Sequence, residues 1–272
     1  MVFAWVLAIH LTAFVGLVLY PLPGWRLLLI FAVLAFLGGA GTTICYHREL
    51  AHRSLTLNPV VRGFLIALSM LNGAAPPGSW VPTHRLHHAT TDTPEDPSSP
   101  AWGGMWWAQV AWHWQANIPA RANYGRDLNK FSLGIWARLL KPIFLLAYFA
   151  GALLGPAGFF WLGAIRLVFV FHATSFVNSV CHTDPEMGPG MDFSRNVAWV
   201  ALTQFCLGEN WHRNHHNFPH SARLGLSWWQ PDMGYALIVG LEKLGLASEV
   251  RRLSRREIDS PRRAPSPQPR TR

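Results

Sequence analysis

The chain has 272 residues, of which 50% are hydrophobic and only 14% are charged, and it contains 14 tryptophans. The apolar residues come in long blocks, so the composition excludes an ordinary soluble domain and predicts a membrane protein. The net charge of +9 does not indicate a nucleic-acid partner, because eight of the 23 lysines and arginines are arginines between Arg251 and Arg272.

Four apolar stretches are long enough to cross a hydrocarbon core about 30 Å thick, which takes about 20 helical residues. They cover residues 2–20, 25–45, 135–154 and 157–181. The first lacks the basic residues that begin a signal peptide, so we interpret it as a retained helix. Because the connectors at residues 21–24 and 155–156 are short and uncharged, the stretches predict two hairpins.

Positive charge lies on one side of these hairpins. Between the second and third stretches lie Arg48, Arg53, Arg62, Arg85, Arg121, Arg126 and Lys130, and further arginines follow the fourth. Because positive segments face the cytoplasm, both termini are predicted to be cytoplasmic. We expect residues 1–250 to form the membrane domain and residues 251–272, which are rich in arginine, proline and serine, to be a disordered tail. Arg166 lies mid-span, which predicts a buried partner or a water-filled cavity.

Eight of the 13 histidines lie in three clusters. The first has the spacing HxxxxH, and the second and third have the spacing HxxHH: His47 and His52; His84, His87 and His88; His212, His215 and His216. On an α-helix, residues i, i+3 and i+4 share a face, so each HxxHH cluster projects its imidazoles in one direction. Residues i and i+5 diverge by about 140°, so the first cluster could serve two metals or flank one site.

Imidazole binds zinc, copper, iron and nickel, so the ligand type leaves the metal open. Eight nitrogen donors exceed the three or four that one zinc ion requires, which favours two metals. The three cysteines have no CxxC spacing and predict neither disulfides nor a thiolate zinc site. A membrane metal transporter is the alternative from another class, but transporters hold their ligands within the spans. A b-haem carrier would likewise need histidines paired inside the spans.

The order HxxxxH, HxxHH, HxxHH resembles the membrane fatty-acyl desaturases of the stearoyl-CoA and bacterial Δ9 type. The similarity extends from about residue 41 to residue 250 and includes the string Thr-Asp-Thr-Pro-Glu-Asp-Pro at residues 91–97, Asn178 four residues before His182, and Asn-Phe-Pro at residues 217–219. The resemblance implies an all-α integral membrane protein with four transmembrane helices and a helical cytoplasmic cap that holds a di-iron site.

For this site the resemblance implies nine histidine ligands, with His182 as the ninth, and Asn178 acting through water. Asp92, Asp96 and Glu209 then accept the free imidazole N–H of ligands, which fixes the ring orientation, whereas Glu95 is expected to be a solvated loop acid. Trp80 and Thr174 match positions that border a bent acyl-chain tunnel. His10 and His172 lie within spans and are expected to be hydrogen-bonded rather than ligands.

The implied activity is O2-dependent desaturation of a saturated fatty-acyl chain, on acyl-CoA or acyl-lipid, at two iron ions in a bacterial cytoplasmic membrane. Electrons would come from ferredoxin or a cytochrome b5-like donor with its reductase. A di-iron hydroxylase or acetylenase of the same fold is the alternative. The sequence departs from the usual family pattern at Ala74, Ser98 and Asn210, which leaves the carbon pair and the substrate headgroup open.

Overall fold

The computed structural model describes residues 2–116, 123–131, 133–184, 186–187 and 191–259. These residues are mostly helical, and their one sheet is a short antiparallel pair of strands. Three stretches of the described chain are long and apolar enough to cross a membrane: Val2–Leu19, Trp25–Ala51 and Gly134–His182. They coincide closely with the predicted stretches, except that the third and fourth form one continuous helical segment.

The first two stretches begin as ordinary α-helices, α1 (Val2–Leu19) and α2 (Trp25–Gly41). Gly24, with φ of 85°, makes the turn between them, a conformation that favours glycine. The helix does not end at Gly41 but continues as a π-helix over Thr42–Ala51, which contains His47 and ends just before His52.

The segment between the hairpins folds into short elements. In chain order they are β1 (Thr56–Leu57), α3 (Pro59–Leu71), α4 (Pro77–Ala89), α5 (Pro100–Trp106), a π-helical turn (Trp107–Ala111), α6 (Trp112–Gln115) and a 3-10 segment (Arg126–Phe131). Helix α3 starts with proline after an Asn58 side chain that accepts a hydrogen bond from the Val60 amide. Helix α4 carries the second histidine cluster.

The third stretch folds back on itself near Gly155. Its parts are α7 (Gly134–Phe149), a 3-10 segment (Ala150–Leu154), α8 (Gly155–Gly158), a π-helix (Phe159–Ile165), α9 (Arg166–Ser179) and a 3-10 turn (Val180–His182). Gly155 has φ of 85°, which permits the turn. The two arms then pack closely, since a Cβ added to Gly163 would lie 2.4 Å from the carbonyl oxygen of Tyr148.

The remaining described chain packs against the end of α2. It contains α10 (Val200–Thr203), α11 (His212–Asn217), α12 (Met233–Lys243), β2 (Ala247–Ser248) and α13 (Arg255–Asp259), and β2 pairs with β1. Arg48 holds this region in place, because its guanidinium donates to the carbonyls of Leu207 and Ala222, each at 2.8 Å, and to Asp232 Oδ1 at 2.9 Å.

The start of the predicted tail is joined to this body. The Arg251 amide donates to the carbonyl of Ser54 at 2.8 Å, and the Ala222 amide donates to the carbonyl of Arg251 at 3.0 Å. Residues 260–272, which make up the rest of that tail, lie outside the described residues.

Arg166 has the buried partner that its mid-span position predicts. Its guanidinium donates to Asn72 Oδ1, to the carbonyl of Leu71 at 3.0 Å and to that of Leu162 at 2.8 Å. Asn72 in turn donates to the carbonyl of Ala35 at 2.9 Å. Since Leu71 ends α3, the positive charge lies at the electronegative end of that helix.

Candidate metal centre

Nine imidazoles converge on two neighbouring points. In the first set, the ligand nitrogens all lie within 4.8 Å of one another; its members are His47, His52, His84, His88 and His215. The second set meets the same limit and consists of His87, His182, His212 and His216. All eight clustered histidines and His182 are therefore brought together, and they divide five to four.

The π-helix decides where the first cluster points. An α-helix would separate residues five apart by about 140°, but a π-helix closes its hydrogen bonds from i to i+5, so such residues lie about one turn apart. His47 and His52 accordingly belong to the same set, with ring centroids 4.9 Å apart. The interpretation that they serve two different metals is wrong for this reason.

Each HxxHH cluster contributes to both sets, contrary to the expectation that its three imidazoles point one way. In α4, His84 and His88 join the first set, and His87 joins the second. In α11 the roles are exchanged, since His212 and His216 join the second set and His215 joins the first. The i, i+4 pair stays together in both helices, and the i+3 histidine crosses to the other set.

Two buried carboxylates and one half-buried carboxylate orient three of the four imidazoles in the second set. Nδ1 of His87 donates to Asp96 Oδ2, Nδ1 of His182 to Asp92 Oδ2 and Nδ1 of His216 to Asp192 Oδ2, each at 2.8 Å. In a neutral imidazole only one nitrogen carries hydrogen, so these contacts leave each Nε2 with a free lone pair. The carboxylates thereby select the tautomer that can bind a metal.

The Nε2 atoms of the second set, which lie opposite these carboxylates, face one another. His87 Nε2 lies 3.4 Å from His216 Nε2, and both rings give their Nδ1 hydrogen to a carboxylate, so neither neutral ring can donate to the other. His182 Nε2 lies 2.9 Å from His212 Nε2. Two metal–imidazole bonds of about 2.1 Å at a right angle place their nitrogens roughly 3.0 Å apart. The second set therefore fits a bound cation.

The first set is arranged in the same way. His215 Nε2 lies 3.0 Å from His47 Nε2 and 2.8 Å from His88 Nε2, and His52 Nε2 lies 2.8 Å from His84 Nε2. Nδ1 of His47 lies 2.7 Å from Glu209 Oε2, on the side away from the cluster. The carboxylate of Glu209 also accepts from the hydroxyl of Thr43.

Burial favours the neutral form of most of these imidazoles, because a charged group is costly to remove from water. Burial, reinforced by neighbouring histidines, holds the pKa well below its usual value at His52, His84, His88, His212 and His215. For His87, burial lowers the pKa, but Asp96, Asp92 and Asp192 together exceed the effect of burial, so the pKa is raised. The contact with Asp96 therefore makes the His87 imidazole a more basic metal ligand than it would be without the carboxylate.

The carboxylates are themselves held in place. Asp92 also accepts from the Ser99 hydroxyl at 2.6 Å and from the Phe193 amide at 2.8 Å. Burial raises the pKa of Asp92, but the facing His182, the Ser99 hydroxyl and His87 together lower the pKa below its usual value, which keeps the carboxyl ionised. The pKa of Asp96 is also lowered, because His87, His182 and the Asp92 amide together exceed the effect of burial.

Asp192 is a functional residue that sequence reasoning missed. It lies ten residues beyond His182 in a segment with no histidine spacing or recognised string, so no signal in the sequence identified it. Ser98, which is one of the departures from the family pattern, also lies next to the site. Its amide donates to Asp96 Oδ1 at 3.0 Å, so it helps to fix that carboxylate. Asn210, another departure, is buried and donates to the carbonyl of Val197 at 3.4 Å.

The other predicted residues lie around the two sets. Trp80 stacks on His84, with ring centroids 5.0 Å apart and planes 19° apart. Asn178 is half-buried on α9, one turn before His182, and Thr174 on the same helix is exposed. Glu95 is exposed, as expected for a solvated loop acid.

Three histidines outside the clusters and the two sets have polar partners instead. Nε2 of His10 and Nε2 of His172 lie 3.0 Å apart, and Nδ1 of His10 lies 2.7 Å from the carbonyl oxygen of Val6. Nδ1 of His220 lies 3.1 Å from the carbonyl oxygen of His52, on the backbone side of that ligand. None of the three belongs to either set within the described chain.

Comparisons with known proteins agree with this geometry. A family model described as fatty acid desaturase matches residues 23–239, well over half of the chain. The sn-1 stearoyl-lipid 9-desaturase of Synechocystis is 35% identical over 90% of this chain and 77% of its own length. Delta-9 acyl-lipid desaturase 1 of Arabidopsis thaliana is 34% identical, over 84% of this chain and 76% of its own length.

A third relative, the hex-5-enoyl-[acyl-carrier protein] acetylenase of Moorena producens, is 34% identical over 89% of this chain and 81% of its own length. The family match at residues 23–239 includes all nine histidines of the two sets. This chain therefore belongs to the fatty acid desaturase family.

Proposed function

We propose that this desaturase converts a saturated fatty-acyl chain to a cis-unsaturated one, with Δ9 as the expected position. The balanced reaction takes two adjacent methylenes, O2, two electrons and two protons, and gives one double bond and two molecules of water. The observation that carries the proposal is the convergence of nine imidazoles in two sets on a chain of the desaturase family.

The two sets are proposed to hold two iron ions, one with five histidines and one with four histidines and Asn178 through water. When bound, iron supplies the activation of O2 that methylene C–H bonds require, since these bonds offer no acid or base a point of attack. The donor set supports this assignment, because imidazole is a ligand for iron and the Nε2 lone pairs already face one another.

The residues of the chain have distinct roles in this proposal. Asp92, Asp96 and Asp192 hold the Nδ1 hydrogens of their histidine partners, which keeps each Nε2 available. Glu209 stands behind His47 in the same manner. Trp80, stacked on His84, is proposed with Thr174 to border the acyl chain and orient the reacting carbons beside the first set.

The proposed topology has four transmembrane helices in two hairpins and a helical cytoplasmic cap. The turn at Gly155 supports the division of Gly134–His182 into two spans. Arginines at the histidine side support a cytoplasmic site and cytoplasmic termini in a bacterial cytoplasmic membrane. Residues 1–250 are proposed to be the membrane domain, followed by a basic tail over residues 251–272, whose first residue bonds to the body.

The substrate is proposed to be a fatty-acyl-lipid or fatty-acyl-CoA in the membrane. The stearoyl-lipid and acyl-lipid desaturases among the relatives support the lipid form. The electron donor is proposed to be ferredoxin or a cytochrome b5-like protein with its reductase. Three cysteines without cluster spacing give the chain no iron–sulfur centre of its own.

Product analysis tests the function. The protein is expressed in a host whose acyl chains are saturated, and the lipids are profiled by mass spectrometry after derivatisation that locates double bonds. We expect a mono-unsaturated chain to accumulate, and its absence in a His88→Ala variant provides the control. Hydroxylated, acetylenic or unchanged chains from an iron-loaded protein would contradict the proposal, and an acetylenic product would match the activity named for the Moorena relative.

A further inference from the structure

The proposed reaction takes two electrons from outside the chain, so a route must lead from the aqueous surface to the buried histidines. The inference below rests on that proposed function. The site ligands His182, His212 and His215 are each at most 2% exposed, so a partner protein cannot touch them directly. A route therefore has to pass through other side chains.

Two tryptophans in contact connect the surface with the second set. Trp211 is 2% exposed and directly precedes the ligand His212 in the chain. Trp229 is 53% exposed, and its ring meets that of Trp211 edge to face, with centroids 5.3 Å apart. The next residue outward, Trp228, is 94% exposed. The two rings in contact and the peptide bond between Trp211 and His212 thus form a continuous path from solvent to this ligand.

The loop that carries these tryptophans is fixed rather than loose. Oε1 of Gln230 accepts from the amides of Leu226 and Ser227 and from Nδ2 of Asn214, at 2.8 to 3.0 Å. Nε1 of Trp211 donates to the carbonyl of Pro231 at 2.8 Å. Because Asn214 lies within the third histidine cluster, the loop is connected to the metal-binding helix, and its exposed tryptophans keep a defined position relative to His212.

The charge around this loop fits a negatively charged partner. Arg223 is exposed, donates to the Gly225 carbonyl at 2.6 Å and lies 5.9 Å from the Tyr235 ring. Its guanidinium has no carboxylate partner among the residues described. The chain as a whole carries +9, which steers an acidic protein towards it.

We propose that Trp228 and Trp229 are the docking point of an acidic one-electron carrier protein, and that Trp229 and Trp211 conduct its electrons to His212. Each double bond formed then takes two successive visits of the reduced carrier. One electron leaves the carrier at each visit, and the two electrons, two protons and the two hydrogen atoms removed from the methylenes together reduce O2 to two molecules of water. Tryptophan and arginine are also the residue types enriched at interface hot spots, and Arg223 lies in the same segment of the chain as these tryptophans.

The test uses the iron-loaded protein in nanodiscs and a [2Fe–2S] ferredoxin of the plant type, reduced by its NADPH-dependent reductase. Three quantities are measured: the Kd for the ferredoxin, the rate of ferredoxin reoxidation in stopped flow at saturation, and the ratio of ferredoxin-driven to dithionite-driven turnover. The variants are Trp228→Leu, Trp229→Leu and Arg223→Glu. Trp106→Leu is the matched control, because Trp106 is another exposed tryptophan, with 68% of its surface accessible.

We expect Trp228→Leu and Arg223→Glu to raise the Kd by roughly tenfold or more, as at hot spots of other interfaces. Trp229→Leu is expected to slow reoxidation at saturating ferredoxin at least tenfold and to lower the turnover ratio equally. Trp211→Phe, which keeps an aromatic ring, should retain the reoxidation rate, and Trp211→Leu, which keeps only an apolar side chain, should lose it. The pair separates the effect of the aromatic ring from that of apolar packing. Trp106→Leu should match the wild type in all three measurements.

Two results would overturn the proposal. One is an unchanged reoxidation rate in Trp229→Leu. The other is quenching of Trp228 fluorescence by brominated lipids with no effect of the variants on ferredoxin, which would identify the loop as a membrane anchor. If dithionite-reduced wild type forms no unsaturated product, the proposed desaturase function fails, whereas the Kd and the reoxidation rate still decide on the docking site.

Discussion

Nδ1 of His216 donates to Oδ2 of Asp192 at 2.8 Å, and this hydrogen bond joins a ligand of the second set to a residue that no histidine motif contains. Burial alone raises the pKa of Asp192, but His216, His182 and the Ser194 amide together exceed the effect of burial, and the pKa lies well below its usual range. The carboxylate is thus ionised and ready to accept the imidazole hydrogen. Asp192 completes a row of three aspartates behind the second set.

Replacing Asp192 tests this relationship. We expect Asp192→Asn to weaken iron binding by the second set by about 10- to 100-fold, because the amide no longer fixes the tautomer of His216. Iron content is measured by plasma emission spectroscopy after dialysis against a graded chelator. Glu95→Gln, which also removes a loop carboxylate but at an exposed position, is the control. Equal iron retention by the two variants would remove Asp192 from the site.

A substitution at His182 tests a ligand that the histidine spacing did not predict and the family resemblance did. His182→Ala should lower the iron content by about half, because the second set loses one of its four imidazoles while the first set remains complete. His220→Gln is the control, since His220 belongs to neither set and its Nδ1 lies against the backbone oxygen of His52. Full iron content and full activity of His182→Ala would show that His182 is not a ligand.

Removal of iron should destabilise the protein. Imidazoles whose lone pairs face one another at 3.4 Å or less are stabilised by a cation. At free metal a thousandfold above its Kd, binding contributes about 4 kcal/mol to the free energy of unfolding. We therefore expect chelation after reduction to lower the Tm by several degrees in detergent, and readdition of Fe²⁺ to restore it. An unchanged Tm after complete removal of iron would contradict the fit of the two sets to metal.

Gly163 tests the packing of the second hairpin. A Cβ at this position would lie 2.4 Å from the Tyr148 carbonyl, so the arms must move apart in Gly163→Ala. We expect this overpacking to cost roughly 1–3 kcal/mol of unfolding free energy. Gly134→Ala is the matched control, because a Cβ there meets nothing within 4 Å. The comparison is made by thermal unfolding in one detergent, and equal Tm values would mean that the arms do not pack as described.

The sequence predicted the membrane-spanning stretches and the histidine site for a physical reason. Long apolar blocks and repeated HxxHH spacing are local properties, so the chain displays them without its fold. Even so, the spacing of His47 and His52 predicted that their imidazoles diverge, because that prediction used the geometry of an α-helix. A π-helix depends on packing around the helix and has no signature in this sequence, and it brings the two imidazoles together.

Other parts of the site depend on contacts between distant residues. His182 and Asp92 are 90 residues apart, and spacing gives no indication that they meet. The same is true of Arg166 and Asn72, which are 94 residues apart. Such pairs form only when separate helices pack, so single-sequence patterns could predict that Arg166 needs a partner but not which residue it is.

The exchange of histidines between α4 and α11 means that neither set is complete until the third histidine cluster has been synthesised. Four members of the first set precede the second hairpin, but the fifth, His215, follows it, and three of the four members of the second set follow residue 181. A chain that stops before the second hairpin therefore carries four members of the first set and only His87 of the second. Under the proposed assignment of iron to the two sets, both sites are complete only when the chain has been made as far as His216.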